Sequence, residues 1–371
     1  MRLIEIAARS FRNLSPDPVF FGAGVTLITG ENAQGKTNLL EAVAVLCGQR
    51  SFRRVKPHEM ASSESGFSIT GKLRRGAEKS PEAETLRVDW SPGSGRTFAR
   101  GEKAVSFREA SRLAPAVFLA PEHREILTGA PAIRRRFLDR LALLCRPAAG
   151  EDLASFERAL AERNALLSGR ARGRAADDEM EAWTEELVRA GAAVRHHRRA
   201  ALAEWKTHFE PLAADAGTEY SAVEIAYISD GETEEDLRAE CRRVLPVEIR
   251  RGHTLAGPHR DDLRFARHGR PLAVQASAGE IHRTAALVKL AEWRAIREAT
   301  GEPPLLGVDE FDAGLSSAWA DAFVRSLPRD DGGTVLLTSA GDAAPWRALV
   351  GSVVEMRAGR AVSRPRAVNE E

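Results

Sequence analysis

The sequence predicts an α/β fold with a β-rich layer and an inserted helical lobe, and three observations carry that prediction. Val25, Leu27 and Ile28 form a short apolar run, Leu39, Leu40, Ala42, Val43 and Leu46 recur at helical spacing, and a glycine-bracketed loop separates them. Between Gly66 and Phe107, short alternating segments are broken by Gly, Pro and Ser, the pattern of antiparallel strands and hairpins. From Leu153 to Trp205, apolar residues follow a three/four spacing over two long stretches, the pattern of amphipathic helices.

Taken in order, Leu3 to Ala8 is the first expected strand, Ser10-Phe-Arg-Asn-Leu14 follows it, and Phe20 to Thr29 leads into the loop. The loop reads Gly30-Glu31-Asn32-Ala33-Gln34-Gly35-Lys36-Thr37 and runs into the helix at Asn38, a G-x4-G-K-T or Walker A pattern. Its glycines let the backbone curl so that successive N–H groups point at phosphate oxygens, and the helix adds its positive N-terminal end. Gly30 to Asn38 is therefore the candidate ATP-binding segment, with Lys36 reaching the β- and γ-phosphates and the Thr37 hydroxyl ligating Mg2+.

Arg50, Arg53, Arg54 and Lys56 follow the loop helix and read either as a solvated face or as a phosphate-contacting patch. Ala116-Val-Phe-Leu-Ala120 is a further short strand, ended by Pro121-Glu122. In the helical region, Leu153, Phe156, Leu160, Asn164 and Leu167 mark one helix, and Trp183, Leu187, Ala190 and Val194 mark a second that continues to about Trp205. Antiparallel packing of the pair would project an arm. Arg134, Arg135, Arg136 and Arg140 precede it, Arg189, Arg195, Arg198, Arg199 and Lys206 lie late in its second helix, and Glu210 to Glu240 is acidic. A DNA path would follow the basic faces and avoid the acidic stretch. His196-His197 reads as a partly exposed helix pair more than as a metal site, since adjacent helical residues face different ways.

After Gly257-Pro-His-Arg-Asp-Asp-Leu263 the nucleotide fold is expected to resume. That segment reads as a structural ion-pair turn joining the two lobes, with direct catalysis or DNA contact by His259 and Arg260 as the other readings. Ser277-Ala-Gly279 opens a helix running from Ile281 to about Arg297. Leu305 to Val308 is an apolar strand ending in Asp309-Glu310, and Thr334 to Thr338 is one more strand ending in hydroxyls. An apolar strand ending in two acids fits a Walker B element: Asp309 would help hold Mg2+, and Glu310 would polarise the attacking water as general base. Gly307 departs from an all-branched strand. A Ser and a Gly at a helix start make a second anion site, which gains a purpose in a head-to-tail dimer where Ser277 and Gly279 close over the nucleotide of the partner.

Composition sets the bounds. A chain of 371 residues is long for one simple core, so one large domain plus an insertion or a second lobe is expected. Its beginning lacks the apolar stretch of a signal peptide, and no apolar run approaches about 18 residues, so a cytoplasmic protein with no membrane segment is expected. Cys47, Cys145 and Cys241 lack any paired spacing and read as buried thiols. A net charge of +1 gives no whole-chain reason to invoke nucleic acid, so that case rests on local charge.

The loop, its long separation from Ser277-x-Gly279 and Asp309-Glu310, and several longer stretches together resemble one family. The motif order is similar to that of ABC-type ATPases of the SMC-like branch. Ser10-Phe-Arg-Asn-Leu14, Gly30 to Val43, Ile133-Arg-Arg-Arg-Phe-Leu-Asp-Arg140, Glu162-Arg-Asn-Ala-Leu-Leu167, Gly257 to Leu263 and Arg283-Thr-Ala-Ala-Leu-Val-Lys-Leu-Ala-Glu292 resemble the RecF family of DNA replication and repair proteins. The resemblance covers nearly the whole chain. It implies an ABC/SMC-type P-loop ATPase lobe from residues 1–125 and 251–371, with an inserted helical arm lobe at 126–250. It also implies ATP-dependent homodimerisation, binding to duplex DNA and to gap junctions, slow ATP hydrolysis, and work with the RecO and RecR mediators to load recombinase at gaps, within replication, recombination and the SOS response to DNA damage. By match, Lys36 and Thr37 bind ATP and Mg2+, Ser277 and Gly279 contact the partner's nucleotide, and Asp309 with Glu310 does the Mg2+ and water chemistry. Arg12 and Pro121-Glu122 fall where nucleotide-sensing segments are expected.

The chain also departs from that pattern. Glu280-Ile281-His282 replaces a Gln-rich continuation, and Ala313-Gly314-Leu315-Ser316 lacks the aspartate expected after Walker B. Thr338-Ser339 stands where transporter relatives use a histidine. These departures bear on hydrolysis more than on nucleotide binding, and Glu280 would repel phosphate if it faced the composite site. A hydrolysis-deficient RecF-like binding module, a transporter-type ABC ATPase subunit and a P-loop kinase of a small molecule are the competing readings.

Overall fold

A computed structural model describes residues 1–74, 83–170, 177–312, 324, 327, 333–340 and 344–362. The chain divides into two compact units, Met1–Arg124 with Val288–Glu371, and Glu125–Leu287.

The first unit opens with β1 (Arg2–Arg9), β2 (Val19–Phe20) and β3 (Gly24–Thr29), and the Lys36–Leu46 helix follows the loop. Next come β4 (Phe67–Arg74), β5 (Glu84–Ser91), β6 (Gly95–Arg100), β7 (Lys103–Val105) and β8 (Ala116–Leu119). Strands β2-β1-β4-β5-β6-β7 form an antiparallel sheet, the β-rich layer. Alternation sets its faces: Phe67, Ile69 and Leu73 on β4 are buried, as are Leu86 and Val88 on β5. They join one core with Leu39, Leu40, Val43 and Leu46 of the loop helix. Each such large apolar side chain contributes about 1.5–3 kcal/mol on full burial.

The second unit holds the Pro131–Cys145, Ala149–Arg170 and Asp177–Ala216 helices. It continues through β9 (Val223–Ile228), a Glu234–Arg251 helix, β10 (Asp262–Arg267) and β11 (Arg270–Pro271), and the Ala278–Thr300 helix begins in it. The two long helices pack through Leu153, Phe156 and Ala159 against Leu187, Val188, Ala190 and Val194. Asp177–Ala216 runs 40 residues, through Pro211, and so extends past Trp205. Leu237, Cys241 and Val244 bring a third helix onto the same core. That helix starts on a reciprocal cap, with Asp236 N–H donating to Thr233 Oγ1 at 3.1 Å and Thr233 N–H donating to Asp236 Oδ2 at 2.9 Å. The acidity of Glu210 to Glu240 therefore includes the negative first turn of an amphipathic helix, which favours its dipole. Cys47 and Cys241 are buried, and Cys145 is half-buried.

The expected return to the ATPase lobe at residue 251 comes later. Asp262–Arg267 pairs antiparallel with Val223–Ile228, so the segment after Gly257 completes the β11-β10-β9 sheet and stays in the second unit as far as Leu287. A strand's hydrogen-bonding partner is not readable from its own alternation.

The first unit closes with β12 (Leu305–Val308), β13 (Thr334–Thr338), β14 (Ser352–Arg357) and β15 (Arg360–Ala361). These complete a sheet of order β15-β14-β3-β13-β12-β8, in which all neighbours except β15 and β14 run parallel. Every residue of β12 and β13 is buried, as in a parallel sheet covered on both faces. Its order brings the carboxyl ends of β3, β13 and β12 side by side, where such sheets bind ligands.

Gly307, the departure from an all-branched β12, has a packing cause. It is the register partner of Phe118 on β8, and a Cβ there would lie 2.4 Å from the Phe118 ring. Gly307→Ala is expected to destabilise the first unit by about 1–3 kcal/mol through overpacking, read as a lowered urea midpoint. Among the described residues no helix is long and apolar enough to cross a membrane.

Candidate functional site

The loop after β3 is shaped by backbone that few side chains tolerate. Gly30 has φ +139° and Gly35 φ +103°, and Ala33 is also left-handed at +65°. A Cβ on Gly30 would stand 2.4 Å from the Met356 carbonyl oxygen, so only glycine fits between the loop and β14. Two elements that the G-x4-G-K-T pattern does not contain brace the loop. Asn13 Nδ2 donates to the Ala33 carbonyl at 3.1 Å, Asn38 Nδ2 donates to Asn13 Oδ1 at 2.7 Å, and Gly359 N–H donates to the Gln34 carbonyl at 3.0 Å.

Lys36 Nζ folds back on the loop, donating to the Gly30 and Glu31 carbonyls at 2.6 and 2.8 Å. Burial lowers its pKa from the usual lysine value, opposed by the negative charge of Asp309, Glu310 and Asp312. The helix it starts has no side-chain cap and no acidic residue in its first turn. An oxyanion there would meet the helix dipole with no capping side chain in its place, and Lys36 once it leaves the two loop carbonyls.

The Walker B acids come to the same place. Thr37 Oγ1 donates to Asp309 Oδ1 at 3.0 Å, and Thr338 Oγ1 donates to the same oxygen at 2.6 Å. Asp309 is buried, which pushes its pKa up against these two bonds. Glu310 follows in a left-handed conformation, φ +49°, with its N–H donating to Thr338 Oγ1 at 2.8 Å. A side-chain residue in that region signals a position that its surroundings enforce. Thr338 thus holds both acids from β13, a role that its place at a strand end hinted at without specifying. Ser339 Oγ donates to Asp312 Oδ2 at 2.6 Å. The Ala313-Gly314-Leu315-Ser316 segment lies outside the described residues.

The donor set fits Mg2+. A Thr hydroxyl and a carboxylate are hard oxygens, and two adjacent ligands of an octahedral Mg2+ stand about 3 Å apart, the separation that Thr37 and Asp309 already have. Glu122 follows β8, whose Leu119 carbonyl accepts the Asp309 N–H, and one Glu122 carboxylate oxygen is buried with no hydrogen-bond partner among the described residues.

Arg12 is committed elsewhere. Its guanidinium donates to both oxygens of buried Glu41, at 2.9 and 3.1 Å, and to the Glu59 carbonyl at 3.0 Å. Arg53 is the arginine beside the loop, donating to Asn38 Oδ1 at 2.8 Å and lowering the Asp309 pKa through its charge.

Ser277 and Gly279 belong to the second unit. Ser277 Oγ accepts the Glu280 N–H at 3.2 Å while a Glu280 oxygen accepts the Ser277 N–H at 2.8 Å, a reciprocal capping box. Arg267 Nη1 donates to the other Glu280 oxygen at 3.0 Å, and these partners pull the carboxyl down to about 2, led by the Ser277 backbone bond. The Glu280 departure is therefore the charged half of a helix cap, a pattern already visible as Ser-x-x-Glu.

The arginines expected to mark a DNA path are largely structural. Arg195 is fully buried, with Nη2 and Nε donating to Asp261 at 2.7 and 3.0 Å; Tyr227 OH also donates to Asp261. Arg198 donates to Asp139 and to the Pro258 carbonyl, both at 2.7 Å. Arg134 grips Asp262 with two bonds, and Arg135 donates to the Asp261 carbonyl at 2.9 Å. Arg163 donates to Glu248 and Thr254, while Asn164 accepts the Thr254 N–H. Gly257 to Leu263 is thus an ion-pair turn within the second unit. Spacing alone does not tell a helix's solvent side from a side that packs on acids. His197 lies 2.9 Å from Asp152, and no group of three metal-ligating side chains occurs among the described residues.

A family model described as an AAA domain matches residues 6–109. The DNA replication and repair protein RecF of Deinococcus radiodurans is 32% identical over 85% of this chain and 84% of that protein. RecF of Oceanobacillus iheyensis is 32% identical over 84% and 86%. A solved structure of the recombination mediator protein RecF-ATP in the RecFOR pathway aligns over 97% of this chain and 96% of that one, at 26% identity and a TM-score of 0.87. An Smc head domain from Pyrococcus furiosus, at 17% identity and a TM-score of 0.53 over 97% and 94%, shares the fold.

Proposed function

The chain belongs to the RecF family of DNA replication and repair proteins, ATPases of the ABC/SMC fold, and from that premise we propose that it is an ATP-gated DNA-binding protein of recombinational repair. Gly30 to Asn38 would cradle the ATP phosphates, Lys36, now on the loop carbonyls, would reach the β- and γ-phosphates, and Thr37 with Asp309 would hold Mg2+. Mg2+ would supply charge neutralisation at the phosphates. Glu310 orients the attacking water and accepts its proton, and hydrolysis is slow. Ser277 and Gly279 of a second copy close over the nucleotide, so ATP stabilises a homodimer that binds duplex and gapped DNA, and hydrolysis releases it. RecO and RecR are the partners with which it loads recombinase at gaps, in the cytoplasm.

The observation that carries the reading is the 3.0 Å contact between Thr37 and Asp309, which joins the phosphate loop to a carboxylate 272 residues away in the arrangement that Mg2+-ATP chemistry needs. The RecF relatives supply the DNA half.

Fluorescence anisotropy of labelled duplex and gapped DNA tests it, with and without ATP-Mg2+, at two salt concentrations. ATP is expected to tighten binding in the parent, while Lys36→Met and Ser277→Arg lose that gain and keep a weak, salt-sensitive background. DNA binding indifferent to ATP, in a chain that still binds nucleotide, would refute the gating and favour a small-molecule enzyme or a plain binding module.

A further inference from the structure

The turn after the loop helix meets the far end of the antiparallel layer at a pair of arginines that no acid balances. Arg96 on β6 is half-buried, with Nη1 donating to the Gln49 carbonyl at 2.8 Å, and Arg50, the residue after Gln49, is exposed. Burial lowers the Arg96 pKa, and the positive charge of Arg50 lowers it further. Among the described residues neither guanidinium has a carboxylate partner. Arg163, Arg195 and Arg198 turn inward onto Glu248, Asp261 and Asp139 instead. A half-buried cation beside a second cation is a costly arrangement until an anion joins it.

An aromatic ring faces solvent at the same place. Phe107 is 42% exposed, the Arg96 guanidinium carbon lies 5.9 Å from its ring centre, and Phe98 packs edge-on at 6.1 Å. The ring opens the Phe107–Leu113 helix, which is seated directly on the turn. Gly48 there has φ +67°, a Cβ on it would stand 2.4 Å from Ser111 Oγ, and that oxygen lies 3.1 Å from the Gly48 carbonyl. β7 ends just before Phe107 and, among the described residues, pairs with β6 alone, so its outer edge is open to another chain.

We propose that Arg50, Arg96, Phe107 and the outer edge of β7 form a docking surface for an acidic peptide segment of a protein partner. A carboxylate of the segment lies between the two guanidiniums, a neighbouring apolar side chain covers Phe107, and its extended main chain adds to β7. Charge and backbone both favour a peptide over nucleic acid here. Glu102 and Glu109 are exposed beside β7 and Phe107 and oppose a phosphodiester chain, which is charged at every unit and has no groups to pair with a strand edge. The surface lies wholly within the first unit and does not depend on the ATP or DNA reading.

A phage-displayed library of random peptides, selected on the full chain and counter-selected on the Arg50→Glu, Phe107→Ser double variant, tests the proposal. Both replaced side chains are exposed, and unchanged urea midpoints confirm that the variants fold. Enriched peptides are expected to place an acid beside an aromatic or large aliphatic residue. A fluorescein-labelled copy of one should bind the parent in anisotropy titrations and weaken roughly tenfold in Arg50→Ala and in Phe107→Ala. Replacing its acid by the amide should weaken it similarly, and Arg50→Ala should then cost little more, the signature of a direct pair. Amide exchange across residues 103–105 should slow when the peptide binds. No enrichment over the double variant, enriched peptides without acids, equal affinity for both single variants and the parent, or unchanged exchange at β7 would each overturn the proposal. A labelled single-stranded oligothymidylate runs beside the peptide. Loss of its binding in the same variants, with no peptide enriched, would assign the surface to nucleic acid and overturn the peptide assignment.

Discussion

Asp261→Ala is expected to lower the unfolding free energy by about 3–5 kcal/mol, the cost of leaving a buried charge unpaired. Asp261 is 1% exposed, receives two bonds from the fully buried Arg195, and accepts the Tyr227 hydroxyl, with Arg198 at 3.9 Å. Deleting its carboxylate strands Arg195 in the interior and removes the acceptor of a phenol whose pKa burial already pushes up. Asp261→Asn keeps the shape and one acceptor oxygen, so its loss should be smaller. Urea unfolding of the two variants beside the parent measures this. An Asp261→Ala chain within about 1 kcal/mol of the parent, the ordinary range for exposed ion pairs, would show that the network does not hold the second unit together. The same pair of variants separates structure from catalysis: a chain that still folds should hydrolyse ATP at the parent rate, because Asp261 belongs to an ion-pair turn.

Glu310→Gln is expected to reduce ATP turnover by about 10²–10⁴-fold, the usual contribution of a positioned general base, with nucleotide affinity retained. Gln keeps the size and polarity of the side chain but cannot accept the proton of the attacking water. Affinity should survive because Lys36, Thr37 and Asp309 are untouched, and the left-handed backbone at Glu310 is held through its N–H by Thr338. Single-turnover hydrolysis with an equilibrium nucleotide titration checks both halves. Turnover within tenfold of the parent would remove Glu310 from the chemistry. Joint loss of affinity and turnover would assign it to binding.

Local pattern carried the parts of this chain that close on themselves in sequence. Val25 to Leu46 forms strand, loop and helix from contiguous residues, since apolar spacing, glycine conformation and helix start all act within a few positions. The antiparallel layer from Phe67 to Val105 was legible for the same reason, as its strands pair with sequence neighbours. The Ser277-x-x-Glu280 cap was also present in the letters, although Glu280 is more easily read as a departure from a phosphate-binding pattern.

Charge was the least legible property. Arg195, Arg198, Arg134 and Arg163 look alike in a sequence whether they face solvent or an acid, and here Asp261, Asp139, Asp262 and Glu248 take them inward. Arg12, expected at a nucleotide-sensing segment, is held by buried Glu41, and Arg53, expected in a basic stretch, donates to Asn38 at the start of the loop helix.

The amino-acid order alone determined that a phosphate loop is built, which strand ends in two acids, and which segments become long helices. Tertiary structure decided that β13 lies between β3 and β12, so that Thr338 reaches Asp309 and Asp309 reaches Thr37. It also decided that Asp262–Arg267 pairs with β9, and that Gly307 is a glycine for the sake of Phe118. The physical reason is common to all three. Helix spacing, glycine φ and caps are energies between near neighbours, whereas strand order, ion-pair partners and close approach are set by which distant surfaces bury one another.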